Sequence, residues 1–324
     1  MTSNAKNLFA FLFLSFIYSA LLAQTIAPRH LEKIAYDSNK KRLALFGGSE
    51  HADGKVTFPG NVQTWNGTTW TSINSDVPGN RVGHSWIYHE KEKVTYLISG
   101  ISNANGERVV RDTWKWNGSV WSKAGSDVPM KTSDGAYDHF NNRLLILGDV
   151  YNKDSVWTGG RQEIELWEFK DSKWKQLSAD GPQPSGPYEV AYNEQTRSLM
   201  VPTWENGKSV VWEWRDEKWN KISVDGEFPE ARNRFALAYD NRTKSVYMFG
   251  GRSRNTPFFA DFWKWNGIKW EKLETSNMPP ARAGATMEAG FGGLILYGGV
   301  IQKGPCSEMW IWKKGKWEQV TQKH

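Results

Sequence analysis

Residues Asp112 to Trp121 read DTWKWNGSVW, with three tryptophans in ten positions and Asn117-Gly118 between the second and the third. Aromatics two residues apart share one face of a strand. Asn-Gly accepts the positive backbone angles of a two-residue hairpin turn. The stretch therefore reads as two short antiparallel strands with their indoles on one side.

It recurs. The pattern Trp-x-(Trp/Phe)-x4-Trp appears as Trp114/Trp116/Trp121, Trp167/Phe169/Trp174, Trp212/Trp214/Trp219, Trp263/Trp265/Trp270 and Trp310/Trp312/Trp317. A sixth copy, Gln63/Trp65/Trp70, lacks only the first aromatic. The closing Trp falls at 70, 121, 174, 219, 270 and 317, a step near 50 residues, which is the period of a propeller blade. Upstream of each copy an apolar run closes in small residues: LALFGG at Gly48, TYLISG at Gly100, LLILGD at Asp149, LMVPT at Thr203, VYMFGG at Gly251 and LILYGG at Gly299. A further apolar segment precedes each run, as in ARNRFALAYD before Asp240-Asn241. Every unit thus supplies four short strands. In the fifth they are expected near Arg232–Tyr239 (a), Val246–Phe249 (b), Phe262–Trp265 (c) and Lys269–Leu273 (d). Units spanning about 28–76, 79–127, 130–179, 184–225, 230–276 and 280–320 cannot bury both faces alone, so they stack around an axis. The expected fold is all-β, a six-bladed propeller of four-stranded antiparallel blades, with six whole blades and no strand shared between the termini.

Arg-x-Gly-His at Arg81 to His84, the double glycines and the spaced aromatics resemble kelch repeats, over about Pro28 to Val320. The third and fourth units depart from that pattern. They read Gly148-Asp149 and Pro202-Thr203 where a double glycine belongs, and they lack the arginine that opens strand a.

Sixteen of the 19 Trp belong to the motif, and burying one removes about 150–250 Å² from water, roughly 4–6 kcal/mol gross. That burial is the natural source of rigidity in a chain whose only cysteine is Cys306. The indoles of DTWKWNGSVW are accordingly read as blade packing rather than a binding platform. Of the three Trp outside the motif, Trp86 is expected in the core, while Trp157 and Trp204 are candidate stacking surfaces.

Lys6 and the apolar run from Leu8 to Ala23, ending in small residues, form the pattern of a secretory signal peptide at residues 1–23, leaving 24–324 as the mature propeller. The run is short for a membrane span, so none is expected after cleavage. An uncleaved N-terminal anchor is the alternative. Mean hydropathy of −0.62 and interspersed charges with a net +6 exclude a membrane bundle and show no nucleic-acid footprint. A monomer in the periplasm or outside the cell is expected. The six His show no metal-ligand spacing, and neither GxSxG nor a phosphate-cradling loop is present, so no cofactor or metal is expected.

Long b–c loops on a rigid scaffold are where binding is built, and here they are expected to be irregular: Ser49–Asn61, Ile101–Arg111, Val150–Gln162, Arg252–Ala260 and Val300–Ser307. Aligning the units places Arg29, Arg81, Arg232 and Arg282 at one position near the channel mouth, with Lys131 close to it in the third unit. Such a ring could receive an anion, or each arginine could bond carbonyls and an acid of its blade. Asp149, Tyr151 and Trp204, with Trp157, could open a pocket on the side that lacks arginine.

The first functional reading is an exported, non-catalytic module binding a glycan or a protein on this face. The resemblance also implies alternatives. One is a sugar-modifying enzyme similar to periplasmic kelch-type sialic acid mutarotases, with Glu230 as a candidate acid or base. A more remote one is a copper radical oxidase similar to galactose oxidase.

Overall fold

The structure, a computed structural model, describes residues 26–52, 55–74, 78–102, 108–150, 163–183 and 188–321. The segment 1–23 read as a signal peptide, and the candidates Tyr151 and Trp157, lie outside the described residues. Six four-stranded antiparallel sheets follow one another along the chain, each ordered a-b-c-d from the axis outward. Blade 1 comprises Arg29–Asp37, Arg42–Ala52, Val62–Trp65 and Trp70–Ile73. Blade 2 comprises Ser85–His89, Val94–Ile98, Thr113–Trp116 and Trp121–Lys123, and blade 3 Met130–Asp138, Arg143–Val150, Ile164–Lys170 and Lys173–Ser178. Blade 4 is built from Ala191–Asn193, Ser198–Glu205, Lys208–Arg215 and Lys218–Ser223. Blade 5 has Ala236–Asp240, Ser245–Phe249, Phe262–Trp265 and Trp270–Lys272, and blade 6 has Thr286–Gly290, Gly293–Tyr297, Met309–Lys313 and Lys316–Gln319.

The a strands touch in sequence around the axis, and that of blade 6 touches that of blade 1, which closes the ring. Closure uses no shared strand. One backbone bridge joins Arg29 to Cys306, and an apolar cluster joins the ends of the chain: Ile26, Ile34, Leu45, Trp65 and Trp70 pack on Ile295, Tyr297, Met309 and Ile311, with Val320 beside them. Each of the other five seams has its own cluster.

The hairpin register explains the aromatic motif. The second aromatic of strand c lies opposite the Trp of strand d in every blade: Trp65/Trp70, Trp116/Trp121, Phe169/Trp174, Trp214/Trp219, Trp265/Trp270 and Trp312/Trp317. Their ring centroids lie 4.8–6.4 Å apart, within the range of aromatic pairing. The aromatics of a blade turn toward the blade before it. Trp65 and Trp70 join the blade 6–1 seam, Trp116 the 1–2 seam, Phe169 the 2–3 seam, Trp214 the 3–4 seam, Trp265 and Trp270 the 4–5 seam, and Trp310 and Trp317 the 5–6 seam. Trp86 is in the core and donates from Nε1 to the Ala44 carbonyl of blade 1 at 3.0 Å.

The expectation that the motif tryptophans are buried needs correcting for Trp174 and Trp219. Unlike Trp70, Trp270 and Trp317, which occupy the same register position, Trp174 and Trp219 are only half-buried. Strand d is the outermost of its blade, so no further strand covers its rings. Trp174 faces Phe169, smaller than the Trp found there in the other blades, and its Nε1 donates to Thr113 Oγ1 and to the Ser126 carbonyl, both at 3.2 Å. Trp219 packs its indole nitrogen against Gly181, where a Cβ would come within 2.8 Å, so that edge is buried while the rest of the ring is partly open. Both rings still pack on the edge of their seams, at 2–3 and 3–4, but each buries less area than the sequence suggests. Trp114, Trp121, Trp167, Trp212 and Trp312 are half-buried in the same way.

A second repeat runs along the opposite end of strand a. Tyr36, Tyr88, Tyr137, Tyr192 and Tyr239 occupy one register position, and the sixth blade has Ala289 there. The tyrosine of one blade meets the next residue of the preceding blade. Tyr192 donates to Asp138 at 2.7 Å, the Tyr137 ring lies 4.3 Å from that of His89, and Tyr36 packs on Gly290, where a Cβ would come within 2.8 Å of the ring. Where Ala289 cannot reach Asp240, Arg242 takes that carboxylate instead, Nη2 donating to Oδ2 at 2.7 Å. Gly47 is required for a similar reason. Its φ is +70°, and a Cβ would stand 2.3 Å from the ring of His84 in the next blade.

The b–c connections are more regular than expected. Lys55–Thr57 pairs back on the end of strand b in blade 1, and short hairpins form from Ile101–Ser102 with Arg108–Val109 and from Val300–Ile301 with Gly304–Pro305.

Trp265 is fully buried. Trp265→Ala is expected to cost about 3–5 kcal/mol in urea unfolding. Val120→Ser, at a position 63% exposed on the blade 2 hairpin, should leave the midpoint unchanged.

Candidate functional site

Arg29, Arg81, Arg232 and Arg282 stand at equivalent places at the start of strand a, and all four side chains lie inside the blades, at most 7% exposed. Arg81 Nη1 donates to the Ser99 carbonyl at 3.1 Å and to Asp112 Oδ1 at 2.6 Å. Arg232 bonds the Gly250 carbonyl and both oxygens of Asp261, with its guanidinium 3.7 Å over the Phe259 ring. Arg282 bonds the Gly298 carbonyl at 3.0 Å and Glu308 at 2.6 Å. The same carboxylates accept the indole N–H of the first aromatic of strand c: Trp114 to Asp112 at 2.7 Å, Trp263 to Asp261 at 2.7 Å and Trp310 to Glu308 at 3.1 Å. Burial opposes ionisation of Glu308, but the bonds from Trp310 and Arg282 outweigh it and hold its carboxyl below the usual range. Arg29 pairs with Glu50 at 2.8 Å, because the acid's place in blade 1 is taken by Asn61. These arginines clamp strands together and do not form an open cationic ring.

The other candidates are also engaged. Asp149 is buried and accepts from Thr132 Oγ1 at 2.7 Å and from the Tyr188 hydroxyl at 3.4 Å across the blade 3–4 seam, where burial pushes its carboxyl up. Trp204 is half-buried against Phe235, and its Nε1 donates to the Pro229 carbonyl at 2.8 Å, which makes it an anchor of the blade 4–5 seam. Cys306 is buried, with Sγ 3.3 Å from the Gly298 carbonyl, and burial pushes its thiol up.

What closes the channel is a group that spacing along the chain does not reveal. Lys33 of blade 1 reaches across the axis to blades 3 and 4, its Nζ 3.2 Å from Asp134 Oδ1 and 2.5 Å from Glu189 Oε2. Asp134 also accepts the Val190 backbone N–H at 2.9 Å. Burial works against the Lys33 charge, but the two acids outweigh it and hold the ammonium above its ordinary range. Burial, with Asp134 alongside, pushes Glu189 up to about 8. The bar of three side chains spans the axis as a floor, and the channel mouth above it is the cup.

The rim of the cup is set by the residue two before each floor position: Leu31, Gly83, Thr132, Arg234 and Gly284, with the place in blade 4 falling on Pro187, outside the described residues. Four of these are left-handed, with φ of 63°, 64°, 54° and 68° at Leu31, Gly83, Arg234 and Gly284. The turn aims a carbonyl at the next blade. Gly83 accepts from Ser133 N–H at 3.0 Å, and Arg234 from Gly284 N–H at 2.7 Å. Among the described residues no group of three or more His, Cys, Asp or Glu is placed to hold a metal ion.

Two buried acids make stability depend on pH. Burial pushes Glu32 up to about 7 and Glu288 to about 8, and both oxygens of Glu32 are buried without a hydrogen-bond partner. A carboxyl whose folded pKa is raised adds stability that is complete below its unfolded pKa and is lost as pH rises through the folded value. Urea midpoints should therefore fall from pH 5 to pH 8. Glu32→Gln should remove part of that slope, about 3 kcal/mol at most.

Residues 203–324 match the family model of the KLHDC2/KLHL20/DRC7 Kelch-repeats domain. The solved structure titled "Structure of YjhT" is similar with a TM-score of 0.66 at 16% sequence identity, covering 92% of this chain and 99% of that chain. No curated protein matches. With a kelch-repeat match over residues 203–324 and six blades closing one ring, the chain is a six-bladed β-propeller whose C-terminal part is similar to kelch-repeat domains.

Proposed function

We propose that this protein is an exported, non-catalytic binding module that takes a glycan or protein partner in the cup on the b–c loop face. The floor made by Lys33, Asp134 and Glu189 carries the reading, because it bars the axial channel between facing blades and leaves a mouth on the b–c loop side. Gly83 and Gly284 keep two sides of the rim free of side chains, while Leu31 supplies an apolar edge and Thr132 and Arg234 polar ones. That mixture of few polar groups on a concave surface suits a small ligand or a protruding segment. The carboxylates at the floor are engaged in the bar and Asp149 is engaged with Thr132, which favours binding over catalysis. Export rests on the apolar run of residues 8–23 after Lys6. A second reading, a sugar-modifying enzyme, draws on Glu189, whose carboxyl is pushed up to about 8 and so would hold a transferable proton near neutral pH.

A thermal-shift screen of residues 24–324 against acidic sugars, neutral oligosaccharides and divalent metals tests the reading. A ligand at about 100 times its dissociation constant adds about 2.7 kcal/mol, a shift of a few degrees. Leu31→Trp fills the rim without altering the backbone demand, since neither residue is glycine. A sugar-induced shift that disappears in Leu31→Trp is the expected result. A shift that survives would place the ligand outside the cup, and no shift with any sugar would leave a protein as the partner.

A further inference from the structure

The antiparallel meander brings the a–b and c–d turns of all six blades to the face opposite the cup. The turns meet edge to edge, the a–b turn of one blade against the c–d turn of the next. Lys40 Nζ donates to the Asn117 carbonyl at 2.5 Å, and Arg143 Nη2, beside its own turn, donates to Glu217 Oε1 at 2.8 Å. The Phe291 ring packs over Gly67, where a Cβ would come within 3.3 Å of it. The turns thus form one continuous surface.

That surface is basic. Its turn sequences include NKKR at 39–42, KDSK at 170–173, NRTK at 241–244 and KKGK at 313–316. Taking each turn with the residues that flank it, thirteen Lys and Arg are exposed against five Asp and Glu. Lys41, Lys93, Lys173, Lys244, Lys269 and Lys314 are exposed, and among the described residues none of them is in an ion pair. The cup face is mixed instead, with Asp180, Asp225 and Glu230 exposed beside Arg252 and Lys303. The exposed large apolar side chains of the described residues also stand on the turn face: Val120 at 63%, Phe140 at 50% and Ile268 at 76%. Stiff turns hold two of them outward. Asn117 Oδ1 accepts the Ser119 and Val120 N–H groups at 3.0 and 2.9 Å, and Asn266 Oδ1 those of Ile268 and Lys269 at 3.0 and 3.1 Å. The Arg197 guanidinium lies 4.2 Å over the Phe140 ring, which sets a cation beside the third.

We propose that the turn face docks the protein on a bilayer surface rich in anionic phospholipid. A single exposed apolar residue is ordinary on a protein surface, and the arrangement of these three is what points to a lipid. Val120 and Ile268 belong to blades 2 and 5, which stand opposite each other in a ring of six, and Phe140 lies nearer the axis on the innermost hairpin of blade 3. A partner that meets all three has to lie flat across the disc, and a bilayer does so without a matching shape. The lysines around the tips attract negative headgroups within a Debye length, and the short apolar tips then enter the headgroup region. Docked in this way, the cup faces away from the bilayer.

The test is co-sedimentation with vesicles of residues 24–324, which hold all six blades and leave out the apolar run 8–23. The vesicles are phosphatidylcholine alone or with about 30% phosphatidylglycerol, at salt from about 0.05 to 0.5 M. Wild type is compared with Val120→Ser/Ile268→Ser, with Lys41→Glu/Lys269→Glu/Lys314→Glu, and with Arg254→Glu/Lys303→Glu on the cup face, each checked by urea unfolding. Wild type should bind the anionic vesicles about tenfold or more tighter than the neutral ones and be released by salt. The lysine variant should lose about tenfold, the Val120→Ser/Ile268→Ser variant severalfold, and the cup-face variant little. Equal binding to the two kinds of vesicle, or none, overturns the inference, and so does an equal loss in the cup-face variant. A loss on reversing the lysines with none on changing Val120 and Ile268, together with displacement by polyphosphate, also overturns it and makes a soluble polyanion the partner of this face.

Discussion

A guanidinium, a carboxylate and an indole in line hold the open end of three blades. In blades 2, 5 and 6 the arginine that precedes strand a bonds the carbonyl at the end of strand b and an acid just before strand c, and that acid also accepts the first Trp of strand c. One nearly buried cation thereby fixes three strands. A buried arginine is tolerated only when its charge is paired and its donors are filled, so acid and arginine have to occur together. The exceptions obey the same constraint. Asn61 replaces the acid in blade 1, and Arg29 turns to Glu50. Met130 replaces the arginine in blade 3, where Glu165 is left to hold Trp167 alone at 2.7 Å.

The clamps stiffen each blade, and the seams join the blades. Every blade offers its aromatics to the one before it, so the ring closes through the same contacts that build it. A rigid ring permits two unusual placements on its axis. Lys33 can be held between two acids on facing blades, and Arg234 can be kept in a left-handed conformation, because the Gly284 N–H that donates to its carbonyl is anchored on the next blade.

The blades were legible because their signals are local. Asn117-Gly118 and the Trp116/Trp121 register lie within six residues; five further copies repeat the aromatic register and two of them the Asn-Gly turn. How deeply each indole sits was not legible, since Trp174 and Trp219 repeat the pattern of Trp270 yet stay half-buried, Trp174 beside the smaller Phe169. The meaning of the arginines was only half legible. Their alignment was plain, yet their direction depends on an acid some thirty residues away, Asp112 for Arg81. The signal was present at the start of DTWKWNGSVW, where an acid two before a Trp recurs as Asp112, Glu165, Asp261 and Glu308. Lys33 and Glu189 are 156 residues apart and meet only across the axis, which no spacing rule predicts. Arg234 was hidden for another reason. A left-handed φ shows in sequence only as glycine, and its place becomes visible once it is aligned with Gly83 and Gly284.

The central claim is that the blade arginines are committed to structure, which leaves recognition to the cup. A double-mutant cycle on Arg81→Met and Asp112→Asn, read by urea unfolding, tests it most directly. Each single change leaves a charge without its partner, so the double variant should be little worse than either single one, with a coupling of about 2 kcal/mol or more. Additive losses with no coupling would contradict the account and return Arg81 to the candidates for ligand binding.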